Sequence, residues 1–542
     1  MKILKTRQSP RKRSIAYRVL SPVLLFLIPS CGFISPGAAQ STPHTEYHNP
    51  ILWGDYSDPD VIRVGNEYLL VASTFSFMPG IPVLKSTDLL HWTIIGHVFP
   101  RLDIDPRYSM IGGNRYGRGA WAPAIRVHAG RYYVYFPTPD EGIFMSSASS
   151  PAGPWTPPVA VLAGPGYEDP CPFWDDDGQA YLIHSRVGAG PLILHHMSPD
   201  GRTVLDAGTV IERDAKNLPT LEGPKLYKRD GYYYIFAPYG GVSTGAQAVL
   251  RSRSIEGPYE VRTVLAQGST SVNGPHQGGY IETPGGKGWF LHFHSAGAYG
   301  RIDYLEPVRW DDGWPVIGKA GSDEVTGEPV SSAPVPVSAS SPSNARPATS
   351  DEFSRSELGL QWEWNHNPEP THWSLEERRG FLRLYAMPAH SLQEARNTLT
   401  EMGQDPAYSF TVALQLKGLA DGQQAGVAMF SERAGSLFIT QDHGKRQLHA
   451  LLDGKAFDGP TITTDLVQLR VTVSHETATY AWSTNEGKTF QTLGTPTPIF
   501  FTWWKAARPA IFTFNADEDA QVMGYVDVDW AHYAPLAIAP KM

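Results

Sequence analysis

A five-fold repeat of about fifty residues, built from aromatic-rich strands, constrains this chain more than any other feature. Segments of one pattern begin at Tyr68 (EYLLVASTF), Tyr132 (RYYVYFPTP), Tyr181 (AYLIHSRV), Tyr233 (YYYIFAPY) and Trp289 (GWFLHFHSA), at intervals of 64, 49, 52 and 56 residues. Each reads as a strand, a short polar break, a second strand and a turn. Several run on into a similar outer element: LKSTDLLHWT, MSSASSPAGPWT and LRSRSIEGPYE. Repeats of this period made of strands specify a β-propeller with one four-stranded blade per repeat. Five blades fill residues 45–322. An ordinary β-sandwich with accidental internal similarity is the alternative.

Composition agrees with an all-β chain. With 52 Gly, 46 Pro, 15 Trp, 25 Tyr, 22 Phe and only 18% charged residues, short strands and tight turns are expected rather than helices. At 542 residues the chain exceeds what one hydrophobic core supports. A Pro/Ser/Ala-rich stretch (TGEPVSSAPVPVSASSPSNARPATS) reads as an extended linker over 323–350. Beyond it, the alternating strands FTVALQLKGL, QAGVAMFSE, VQLRVTVSH and ATYAWST predict a concanavalin-like β-sandwich of jelly-roll type over 351–540. Its Trp362, Trp364, Trp503, Trp504 and Trp530 are expected to serve core packing and contact with the propeller rather than polysaccharide binding.

The net charge of −9 is spread over the chain, so nucleic acid is not an expected partner. Aromatic-rich, mildly acidic β-proteins suit neutral sugars, whose apolar faces stack on rings. At the N-terminus, Lys2, Lys5, Arg7, Arg11, Lys12, Arg13 and Arg18 precede an apolar stretch from Val19 to Ile28, with small residues at Gly37, Ala38 and Ala39. This pattern predicts a signal peptide over 1–39, cleaved before Gln40, and a secreted or periplasmic protein. A lipid anchor through Cys31 is the alternative. Nothing else approaches the apolar length of a membrane span, and after cleavage Cys171 has no disulfide partner. Oligomeric state is not legible.

About ten residues before each anchor aromatic stands a distinctive residue: Asp58, Trp121, Asp169, Glu222 and His276. Pro follows within two positions in four cases and precedes in the fifth. The equivalent place in every blade is the mouth of the innermost strand, so the repeat brings Asp58, Asp169 and Glu222 to one funnel. Three carboxylates there repel one another and raise the pKa of some. Each acid alone has a plain reading as a turn former, which is assigned to Asp60, Asp175, Asp176 and Asp177. A metal site is the competing use of the three, and His276 either joins it or orients a carboxylate.

The stretch from about Tyr47 to Ile317 resembles family 43 of the glycoside hydrolases in SDPDVIRVGNEYLL, TFSFMPGIPVLKSTDLLHW, GAWAPAI, EDPCPFWDDDG and EGPKLYKRDGYYYI. SDEFSRSELGLQWEWNHNPEPTHWSL and YVDVDWAHY are similar to the β-sandwich appended to its β-xylosidases. The resemblance implies an inverting, exo-acting enzyme that removes terminal β-D-xylose or α-L-arabinofuranose from xylan- or arabinan-derived oligosaccharides. Asp58 would be the general base and Glu222 the general acid, kept protonated by burial and by Asp169, which also holds it in place. Phe75 and Trp121 would wall the sugar pocket. Arg301 in GAYGRIDY would reach sugar hydroxyls, and His276 would join the site. GGVSTGAQA stands where related xylosidases carry a longer polar segment, which opens the specificity beyond the terminal sugar. A sandwich loop would lean over the mouth. No cofactor is required, no metal ligand is assigned, and calcium is admitted as a structural ion. Two other readings remain: a sugar-binding propeller without catalysis, and a retaining β-fructosidase-like hydrolase, whose Trp-x-Asn-Asp-Pro motif SDPD does not match.

Overall fold

The computed structural model describes residues 45–188, 190–337 and 345–537. The expected signal peptide, its cleavage point and Cys31 lie outside them. Among the described residues there is no α-helix, only strands and three short 3-10 turns, and no helix is long and apolar enough to cross a membrane.

Five four-stranded antiparallel units succeed one another, each in simple consecutive order. Their first strands are Asp60–Val64, Ala124–His128, Tyr167–Trp174, Lys225–Arg229 and His276–Glu282. First strands of neighbouring blades pack on one another from blade 5 through blade 1 to blade 4, and the first strand of blade 5 lies on the second strand of blade 4, which makes these strands the inner lining of the ring. All five anchor aromatics fall in second strands: Glu67–Val71, Arg131–Thr138, Ala180–Arg186, Tyr232–Tyr239 and Gly288–Ser295. These strands are covered on both faces and are therefore almost continuously apolar, as LLV and YIFA show. Burying each such Leu, Ile or Phe side chain contributes roughly 1.5–3 kcal/mol.

Two of the acids read as turn formers tie blades together instead. Asp60 is fully buried, ion-paired to Arg126 Nη1 at 2.6 Å, and accepts the Ile125 N–H at 2.8 Å, joining blades 1 and 2. Asp175 accepts Tyr233 Oη at 2.5 Å and pairs with Lys228, joining blades 3 and 4. The sequence reading missed this because an acid beside a turn and an acid bridging two blades have the same local sequence.

The ring is closed by chain outside the repeat. Glu46–His48 pairs antiparallel with Ser332–Pro334, and Asn49 Nδ2 donates to Leu305 O and Val330 O, both at 2.9 Å. Gly327–Glu328 adds to the outer edge of blade 4. The Pro/Ser/Ala-rich segment is thus strand-paired at 327–328 and 332–334, where Val330, Ala333 and Val337 supply small apolar contacts.

The C-terminal part is two sheets of seven and eight strands packed face to face over one core that includes Trp362, Phe410, Val412, Leu414, Leu469 and Val471. The sandwich and propeller share backbone pairing: Met78 and Trp364 exchange both hydrogen bonds, at 2.9 and 2.5 Å. Asn367 likewise brackets Leu102, accepting its N–H and donating to its carbonyl.

Candidate active site

Asp58 and Asp169 share an unusual backbone, the left-handed region at φ 55° and 54°. Asp tolerates that region better than most residues, yet such strain persists only where surroundings enforce it. Asp58 lies just before its blade's first strand, Asp169 is inside one, and Glu222 precedes another by three residues. The predicted phase therefore brings the three acids to equivalent ends of inner strands in blades 1, 3 and 4.

Asp58 is buried and fully engaged: Oδ1 receives Arg301 Nη1 at 2.5 Å and Oδ2 receives Ser73 Oγ at 2.7 Å. Asp169 Oδ2 accepts the Gly223 N–H at 2.8 Å and Ser185 Oγ at 3.3 Å. Burial, then the charge of Glu222 with a smaller push from Asp58, raise the Asp169 pKa to about 7, against the opposing pull of Lys225 and the Gly223 N–H. Glu222 is less deeply covered, and its Oε1 lies 2.6 Å from His276 Nε2. Glu168, Asp169 and Glu222 each place an oxygen within 4.8 Å of the others. That spacing could hold a cation, but an oxygen of Asp169 and one of Glu222 are already engaged.

Of the remaining expected residues, Arg301 bonds Asp58 and His276 meets Glu222, while Phe75 and Trp121 lie beside each other. Phe75 and Trp121 rings lie 6.2 Å apart at 58°, on strands' ends bridged through Phe75 and Ala120. Trp121 is half-buried and donates Nε1 to Gly117 O at 3.1 Å. Arg301 lies 5.1 Å from the Phe293 ring and, across the domain boundary, 6.0 and 5.8 Å from Phe501 and Trp504. Its Nε is buried with no hydrogen-bond partner.

Sequence reasoning did not single out Ser73, Ser185 or Gly223 as supports of the acids. The two serines had a signal: each lies in or just past the second strand of its own acid's blade, so following the repeat one strand further would have found them. Lys505, which reaches this region from the sandwich with Nζ 2.7 Å from Asp55 O, had no such signal. Of the sandwich tryptophans, Trp362 and Trp364 are core, Trp503 stacks on Tyr116 of the propeller at 3.9 Å, and Trp530 stacks on His532. Trp504 departs from core packing, being 48% exposed.

Residues 47–315 match the glycosyl hydrolases family 43, and residues 350–534 match the β-xylosidase C-terminal concanavalin A-like domain. A β-xylosidase of Formosa agariphila is 35% identical over 542 aligned residues, covering 90% of each chain. A non-reducing end α-L-arabinofuranosidase of Bacteroides ovatus is 32% identical over 448, covering 78% of this chain and 80% of that one. A solved bifunctional protein of Bacteroides eggerthii superposes with TM-score 0.81 at 28% identity. It covers 90% of this chain, which spans 64% of that longer protein.

Proposed function

The chain belongs to family 43 of the glycosyl hydrolases, and on that premise we propose that it is an inverting exo-glycosidase releasing terminal β-D-xylose, and secondarily α-L-arabinofuranose, from xylan- or arabinan-derived oligosaccharides. One observation carries the mechanism: the acids divide into an ion-paired carboxylate, Asp58 against Arg301, and a mutually repelling couple, Asp169 with Glu222. A carboxylate fixed by a guanidinium and a hydroxyl suits a general base that must stay ionised. A couple that retains a proton near neutral pH suits the acid side, and that proton belongs to the pair.

Asp58 then takes a proton from water as the water's oxygen attacks the anomeric carbon. Glu222, oriented by His276, gives its proton to the departing oxygen. Asp169, beside it, favours the protonated pair and is held by Gly223 and Ser185. Inversion requires base and acid roughly 6.5–9.5 Å apart, leaving room for that water. Phe75 and Trp121 offer ring faces to the sugar, and Arg301 Nε is a buried donor that a hydroxyl can satisfy. The xylose preference follows the Formosa agariphila relative and the arabinose activity the Bacteroides ovatus one.

The test is kinetic. Wild type, Asp58→Asn and Glu222→Gln are assayed on 4-nitrophenyl β-D-xylopyranoside, the α-L-arabinofuranoside, and xylobiose. Asp58→Asn should lose about 10²–10⁴-fold on every substrate. Glu222→Gln should lose about 10²–10⁴-fold on xylobiose and much less on the aryl glycoside, whose good leaving group needs little protonation. Nuclear magnetic resonance of the first-formed sugar should show α-xylose; β-xylose would mean retention and overturn the assignment of Asp58. Undiminished sugar binding with no turnover by wild type would leave the sugar-binding reading.

A further inference from the structure

The loop between Thr497–Pro498 and Arg508–Asn515 carries two successive non-glycine residues in the left-handed region, Trp503 at φ 54° and Trp504 at φ 65°. Such strain concentrates at functional elements. The turn is closed by reciprocal bonds between Thr502 and Lys505, at 3.0 and 2.9 Å. Trp503 clamps flat on Tyr116. The outcome of this geometry is the next side chain, Lys505, which leaves the sandwich and ends inside the propeller.

Lys505 is 2% exposed. Its Nζ donates to Asp55 O at 2.7 Å and to Ser57 Oγ at 3.2 Å, and lies 3.6 Å from Asp55 Oδ2 and 5.7 Å from the Phe75 ring centre. The Asp55 carboxylate in turn accepts Ser57 Oγ at 2.9 Å, the Arg301 N–H at 2.8 Å and the Ala506 N–H at 2.9 Å. One buried ammonium and one buried carboxylate therefore fix the peptide leading into Asp58, the main chain of the arginine paired to Asp58, and the sandwich loop. Isolated burial of these charges would be strongly unfavourable. A hydrophobic contact would join two domains without that cost.

We propose that Lys505, a residue of the sandwich, is a positioning residue for the reaction: with Asp55 it sets the placement of Asp58 and Arg301 against the attacking water. This rests on the reading of Asp58 as base. The charged groups facing the ammonium are Asp55, Asp58, Glu363 and Arg508. Asp303 also faces it, its carboxyl pushed well above the usual carboxylate range by burial and by the charge of Asp55. Loss of the ammonium thus removes a cation from the surroundings of the base as well as an anchor from its loop.

Full-length Lys505→Met, Lys505→Arg and the double variant Lys505→Met/Asp55→Asn test this against aryl xyloside, with melting followed alongside. The double variant leaves no uncompensated carboxylate, so it folds where the single variant is strained. Expected are a fall in kcat of about 10-fold to 10²-fold, as for a displacement of about 1 Å, with KM changed less than about threefold. The acid limb of the kcat/KM profile should move to higher pH in Lys505→Met, because the ionised base loses a cation, and much less in the double variant, which loses the Asp55 anion with it. Lys505→Arg should restore part of both. A double variant that melts differently but keeps wild-type kcat reduces Lys505 to a domain fastener and overturns the proposal. If Asp58→Asn stays active, the reading of the base fails first; if it is dead while the Lys505 variants are normal, only the positioning role fails.

Discussion

At the residue scale the division of labour among the acids is set by what each touches. Asp58 is held by a cation and a hydroxyl, whereas Asp169 is held by one N–H and one hydroxyl beside another acid. The phase of the repeat alone singles out all three acids, and also Trp121 and His276, because equivalent positions of a propeller converge. The sequence expectation placed the retained proton on Glu222. In the structure burial and the charge of Glu222 also push the Asp169 carboxyl upward, so the retained proton is shared by the pair from which Glu222 donates, a consequence of depth that residue type does not encode. The raised pKa has a thermodynamic signature. Between about 3.8, the ordinary value, and about 7, the folded protein holds a proton that the unfolded chain has lost. Stability from this site is therefore present at low pH and declines as pH rises through that window. Asp169→Asn removes the decline, so its melting temperature relative to wild type should be higher at about pH 8 than at about pH 4.5. A difference that is constant with pH, measured by calorimetry in both buffers, would show that the site does not titrate in that range.

At the level of the single blade, one device recurs. The main-chain N–H of the functional residue donates to a carbonyl near the end of the second strand: Trp121 to Pro137 at 3.1 Å, Glu222 to Pro238 at 3.0 Å. Blade 1 reverses the roles, with the Ser73 N–H donating to Ser57 O at 2.9 Å. Inner-strand mouths are thus rigid because their backbones are pinned to the best-buried strands. Gly223 shows how little slack remains. At φ 58°, with a Cβ position only 2.5 Å from Gln277 Cγ, it admits no side chain, and its N–H is the one bonded to Asp169. Gly223→Ala should lower kcat about 10-fold or more and stability by about 1–2 kcal/mol, read by kinetics and denaturant titration on one preparation. Unchanged kcat would mean that Asp169 is placed by Ser185 alone. Strand existence was legible in every blade; the inter-blade roles of Asp60 and Asp175 were not, since partners 66 and 53 residues away leave no local pattern.

Over the whole molecule, the described residues of propeller and sandwich form one compact unit. Their boundary was legible as a change of composition, and contact between them was expected of the sandwich tryptophans and one loop, but the particular joints were not legible: Met78–Trp364, Asn367 and Lys505 are contacts that neither repeat nor hydropathy reveals. Such interlocking predicts cooperative unfolding. Tyr47, on the strap that closes the ring, is buried against Trp289 and donates to Leu305 O at 2.5 Å. Tyr47→Ala should destabilise by about 3–5 kcal/mol. A single calorimetric transition should move as a whole, sandwich included; a second peak left at the wild-type temperature would show that the sandwich melts independently.

The strap also imposes an order in time. Glu46–His48 completes its pairing only with Ser332–Pro334, nearly three hundred residues later in synthesis. At roughly 5–20 residues per second the early blades wait about a quarter of a minute to a minute for the strand that locks them. During that wait their apolar second strands lack the strap that closes their ring, so the nascent chain stays unlocked until its last propeller segment has emerged.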